Sequence, residues 1–211
     1  MRGRRGLIVS VVVLLAGVAA IAGWRWWHGR APYPPEALGT RTTLELVDQA
    51  TAAAALRPVN VEVSGKGDQI LLGTVSWTVP ASAPAGGSFR LVLLDRRTMA
   101  LPGFLSVTSP RPESVGSGSD DTLDAAAGRY DWLARAGTRE IDGSFRSPGD
   151  FITADADASP VTFAAVLHPA DPRARPQEAV MSAPVTLDDV LLVLIGVGPD
   201  GQVYWAQRLS P

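Results

Sequence analysis

The apolar positions of this chain fall into two regimes. From Leu7 to Trp24 it reads LIVSVVVLLAGVAAIAGW, with Ser10 as the only clearly polar residue. A helix of that length spans about 27 Å, close to the ~30 Å hydrocarbon thickness of a bilayer. Arg2, Arg4 and Arg5 precede it, and Trp24, Arg25, Trp26 and Trp27 follow. Amphipathic rings and snorkelling guanidinium groups suit the headgroup level. The pattern predicts one transmembrane signal-anchor over 7–27, contacting the lipid bilayer, and argues against a buried core helix. A cleaved signal peptide is the rival, because Ala20-Ile21-Ala22 fits the small-residue cleavage pattern; cutting after Ala22 would make the protein secreted. The length of the apolar run and the Trp cluster favour the anchor. The arginines before the span bias residues 1–6 towards the cytoplasm and the remainder towards the outside, although Arg25, Arg30 and Arg41 weaken that bias.

Beyond the span, His28 to Thr40 reads HGRAPYPPEALGT. Pro32, Pro34 and Pro35 preset extended backbone, so residues 28–41 are expected to form a semi-rigid linker of ~3 Å per residue. Thr42 and Glu45 have capping-box spacing, and Leu44, Val47, Ala50 and Ala54 share one helical face, which predicts a helix over 43–56. A strand through Thr43–Val47 competes with it, whereas the alanines at 52–55 disfavour strand.

After Pro58 the pattern becomes short β-type runs divided by turns. Val59–Val63, Ile70–Thr78, Phe89–Asp95, Phe104–Val107, Tyr130–Arg135 and Val161–His168 read as strands. Ser109 to Asp124, rich in Ser, Gly, Pro and Asp, reads as a mobile loop, and Pro169 to Pro184 as an irregular connection. Val190–Val197 is apolar throughout, too short to cross a bilayer as a helix, and fits a strand buried on both faces. Gly198-Pro199-Asp200-Gly201 then leads into Gln202–Arg208, the strongest hairpin signal in the sequence. Residues 42–211 are therefore expected to be mainly β: an antiparallel sandwich, Ig-like or a partly open barrel, with one short helix at its start.

Composition narrows the chemistry. With 46% hydrophobic residues the domain can bury a real core, and with no cysteine it does so without disulfides or thiolate metal sites. A lipid-modified cysteine is excluded with them. Lys66 is the single lysine against eighteen arginines, a bias that reads as the mark of a high-GC bacterial genome. Residues 1–30 carry +5. In residues 31–211, fourteen basic side chains against twenty-one acids leave −7, a balance that argues against nucleic-acid partners.

Candidate catalytic groups are few. His28 adjoins the anchor and His168 ends a strand, so a two-histidine metal site in the domain is impossible and a Ser-His-Asp triad lacks its serine motif. Ser64 and Lys66 would make a Ser–Lys pair, but VSGKGDQ has the look of a hairpin turn. Asp120, Asp121 and Asp124, and separately Asp150, Asp155 and Asp157, offer loop carboxylates for Ca²⁺ without the glycine and distal glutamate of an EF-hand. Trp77, Trp132 and Trp205 lie in strand candidates and are assigned to the core before any sugar or protein contact. If the last strand is an edge, Tyr204 and Trp205 lie where a partner strand would add. No catalytic, cofactor-binding or metal-binding residue is assigned and no cofactor is implied. The expected function is a single-pass envelope protein whose outer β-domain is a protein-interaction or assembly module with an envelope protein partner. The alternatives are an extracytoplasmic domain binding glycan or a small apolar molecule, and a secreted hydrolase using Ser64 and Lys66 or the aspartates.

Overall fold

The computed structural model describes residues 31–56, 69–97, 104–136, 139–141, 144–146, 151–168 and 186–209. The expected membrane segment, the Val59–Val63 run and the Pro169–Pro184 connection lie outside them. Among the described residues no helix is long and apolar enough to cross a membrane.

Residues Tyr33–Pro211 form one compact unit. In chain order its strands are β1 (Arg41–Val47), β2 (Gln69–Ser76), β3 (Ser88–Asp95), β4 (Phe104–Thr108), β5 (Val115–Gly118), β6 (Arg139–Ile141), β7 (Ser144–Arg146), β8 (Phe151–Asp155), β9 (Val161–His168), β10 (Val190–Val197) and β11 (Val203–Leu209). The α-helices are α1 (Gln49–Ala55) and α2 (Thr122–Arg129). Two antiparallel sheets make a sandwich, one ordered β1-β2-β9-β4 and the other β11-β10-β3-β8-β5, with β6-β7 as a separate hairpin. The chain is mainly β with few helices, as its residue pattern predicts.

β10 shows why the apolar run is continuous: all eight residues are buried. It pairs with β3 on one side and β11 on the other. Leu191, Val193, Ile195 and Val197 pack with Val92, Leu94, Phe151 and the Leu123 and Ala126 of α2, so the helix roofs the outer face of the five-stranded sheet. The alternate residues face the other sheet. On that inner face Trp77 meets Phe89 edge-on at 5.0 Å, Phe89 lies 5.9 Å from Trp205, and Tyr33 meets Trp205 at 6.1 Å. Such offset and edge-on pairs are worth ~0.5–1.5 kcal/mol each beyond the area they bury. Trp77 also donates its indole N–H to Ala156 O at 2.9 Å, so this ring is a core fixture.

The β10–β11 hairpin forms as its turn residues dictate. Gly201 adopts φ +79°, Gly201 N–H donates to Gly198 O at 3.0 Å, and the Asp200 carboxylate accepts from Gln202 N–H at 3.2 Å.

Four expectations are corrected. Residues 41–47 are strand, with seven residues paired to β2, and helix begins only after Asp48. Asp48 is the cap that works, its carboxylate accepting from Thr51 N–H at 2.8 Å, while β-branched Thr42, Thr43 and Val47 suit the pleat. The supposed loop from Ser109 to Asp124 holds a 3-10 turn at Pro112–Ser114, β5 and the start of α2. Tyr130–Arg135 carries a 3-10 turn at Asp131–Leu133 instead of a strand. The Pro-rich stretch is not purely a spacer: from Tyr33 it packs on the domain, with a 3-10 turn at Pro35–Leu38 and Leu38 fully buried. β6, β7 and β8 lie outside the strands that the residue pattern predicts; in β8, within PGDFITADADAS, Phe151 and Ile152 are both buried.

Candidate interaction surface

Among the described residues the candidate catalytic groups are not gathered into one site. Ser64, Lys66, His28 and Asp150 lie outside the described residues. His168 closes β9, its backbone opposite Gln69. Asp155 ends β8, and Asp157 in the next turn is ion-paired with Arg111. Asp120 is bound by Arg90 at 3.1 Å and accepts from Thr122 N–H at 2.8 Å. Partial burial works against its ionisation, yet the Thr122 hydrogen bonds and the Arg90 charge prevail and hold its carboxyl below the ordinary value. Asp120 and Asp157 are thus engaged by arginine, and among the described residues no group of three metal-ligating side chains gathers.

An open groove of about 440 Å³ runs past β3, β8 and β5, lined by Ser88, Arg90, Glu113, Thr153 and Asp155 among others, with no aromatic ring in its wall. Its guanidinium is committed to structure: Arg90 donates to Asp120 Oδ2, Ser88 Oγ and Phe89 O.

β11 is different. It is the outer strand of its sheet, bonded to β10 on one side, and no described strand pairs with its other side. Its side chains alternate. Trp205 and Leu209 are buried inward, and the Trp205 indole lies over Gly196, where a Cβ would stand 2.6 Å from Trp205 Cε2. Gln207 donates through Nε2 to Thr40 Oγ1 at 3.0 Å, while Trp205 Nε1 and Gln207 Oε1 are buried without a hydrogen-bond partner. On the outer face Arg208 is exposed, its guanidinium 4.5 Å from the centre of the half-buried Trp132 ring. Trp132 lies 6.1 Å from Tyr130, and the Arg129 guanidinium is 5.7 Å from the Tyr130 ring. Arg129 also donates to Val203 O at 2.8 Å, tying α2 to the start of β11. Arg135, exposed two residues after the 3-10 turn, donates to Arg97 O at 3.4 Å.

The result is a row of guanidinium and aromatic groups beside a sheet edge that no described strand pairs with. The ion pairs among the described residues involve Arg90, Arg97 and Arg111; Arg129, Arg135 and Arg208 have none. Arginine and aromatic side chains are the types enriched where proteins bind one another. Among the described residues the last strand is an edge, the condition under which Tyr204 and Trp205 lie where a partner strand would add. Arg129, Arg135 and Arg208 were not foreseen, since nothing in the sequence links Arg208 to Trp132. No protein-family model matches the chain, and no curated protein is similar to it in sequence.

Proposed function

We propose that this protein is a single-pass membrane-anchored envelope protein, held by residues 7–27, whose β-sandwich is a protein-interaction or assembly module outside the cytoplasm. The observation that carries the interaction reading is the β11 edge bordered by Arg129, Tyr130, Trp132 and Arg208. An outer strand presents unpaired backbone donors and acceptors, which is how β-augmentation recruits a partner. The anchor reading rests on the apolar span and its flanking arginines and tryptophans.

Two measurements test the reading. The full-length chain should stay with membranes through an alkaline wash and lose its domain to protease added from outside. Recovery of the intact chain from the cytosol would remove the anchor. A photo-cross-linking residue at Arg208 should capture one defined protein in the native membrane, while the same probe at Ser117, exposed on the opposite edge strand, should not. Equal capture at both positions would remove β11 as the interaction site.

A further inference from the structure

The charge and the pleat of β11 together specify what would pair with it. We propose that the occupant is an extended acidic segment of a partner protein, alternating carboxylate and apolar side chains, whose carboxylates lie beside Arg208 and Arg129. The inference rests on the interaction reading above and names the chemistry of the partner.

The domain as a whole is acidic, at −7 over residues 31–211, so a cluster of arginines that make no ion pair among the described residues runs against its average. Arg208 is held by the π face of Trp132 and Arg129 by a backbone carbonyl and the Tyr130 ring. Both arrangements position a guanidinium without neutralising it. A strand added to β11 would place its side chains ~4.5–5.5 Å from their cross-strand neighbours, within ion-pair reach of Arg208 on the outer face. On the inner face its side chains would neighbour Trp205, Gln207 and Leu209, and beside the buried Trp205 and Leu209 apolar groups fit. One register therefore asks for acid on one face and apolar on the other. A broad anionic lipid surface is disfavoured, because it would confront the acidic remainder of the domain as well.

The test uses the full-length chain in zwitterionic nanodiscs and labelled seven-residue peptides alternating valine with glutamate, glutamine or lysine. The Glu/Val peptide should bind about tenfold tighter than the Gln/Val one, and the Lys/Val peptide least. The preference should shrink as salt shortens the Debye length. Arg208→Glu and, separately, Arg129→Glu should erase it; both side chains are exposed, so the fold should survive. A Glu/Val peptide N-methylated at every residue should not bind, since both of its edges then lack ladder donors. Equal binding of the Glu and Gln peptides overturns the acidic partner while leaving edge pairing in place. Undiminished binding of the N-methylated peptide overturns edge pairing, and with it the proposal. Displacement by glycerol phosphate, but not by chloride at equal ionic strength, would assign the surface to phosphate headgroups and overturn it too.

Discussion

Two glycines show how single residues set the inner face of each sheet. Gly196 is paired opposite Trp205 and Gly73 opposite Phe163, and in both pairs the aromatic ring lies over the glycine. A Cβ at Gly73 would fall within the Phe163 ring, whose side chain is fully buried and has nowhere to go. Gly73→Ala is therefore expected to cost about 1–3 kcal/mol, read from the urea midpoint. In the Phe163→Leu background the same change should cost clearly less, because the two sites are in contact. An equal cost in both backgrounds would mean that the ring is not the obstacle. Nothing along the chain explains either glycine; the reason for it sits on a neighbouring strand.

At the scale of elements, local signals and pairing compete, and pairing decides. Thr42 and Glu45 have the spacing of a helix start, yet seven ladder pairs with β2 hold residues 41–47 extended. VGSG at 115–118 has little strand character of its own and becomes β5 because β8 is there to pair with it. The segment before β1 follows the same logic. Its prolines suggest a spacer, but Leu38 is fully buried, Tyr33 contacts Trp205, and Thr78 N–H donates to Leu38 O at 2.8 Å. Leu38→Ala should accordingly cost about 2–5 kcal/mol, as for a core leucine. A spacer residue would change stability by no more than about 0.5 kcal/mol, so thermal or urea unfolding of the variant discriminates directly.

Across the whole molecule, titrating groups bracket the pH range of stability. The Asp120 carboxyl is held below its ordinary value in the fold, so its contribution is present above the unfolded value of about 3.9 and is lost as pH falls through the lower folded value. Asp189 behaves likewise, its carboxylate accepting from the Thr186 backbone N–H and hydroxyl. On the alkaline side, burial first and the neighbouring Tyr204 phenol second raise Tyr33 above its ordinary value. Its contribution is complete below an unfolded value of about 10 and is lost as pH rises through the higher folded value. Unfolding titrations should show an acid limb flattened in Asp120→Asn and an alkaline limb flattened in Tyr33→Phe. If neither substitution alters its limb, these groups do not set the range.

What the sequence determined by itself is whatever can be read along the chain: a mainly β antiparallel domain, the doubly buried Val190–Val197 strand, and the hairpin at Gly198–Gly201. Periodicity and turn chemistry are local and need no partner to be recognised. The tertiary structure alone decided, among the described residues, which strands are edges, which tryptophans are fully buried, and which arginines make no ion pair. Trp77 and Trp205 are buried, while Trp132 is half-buried against the core with Arg208 over its ring, 76 positions away in the chain. Such juxtapositions depend on strand order and on a helix roofing one sheet, and no window of sequence contains both sides of them.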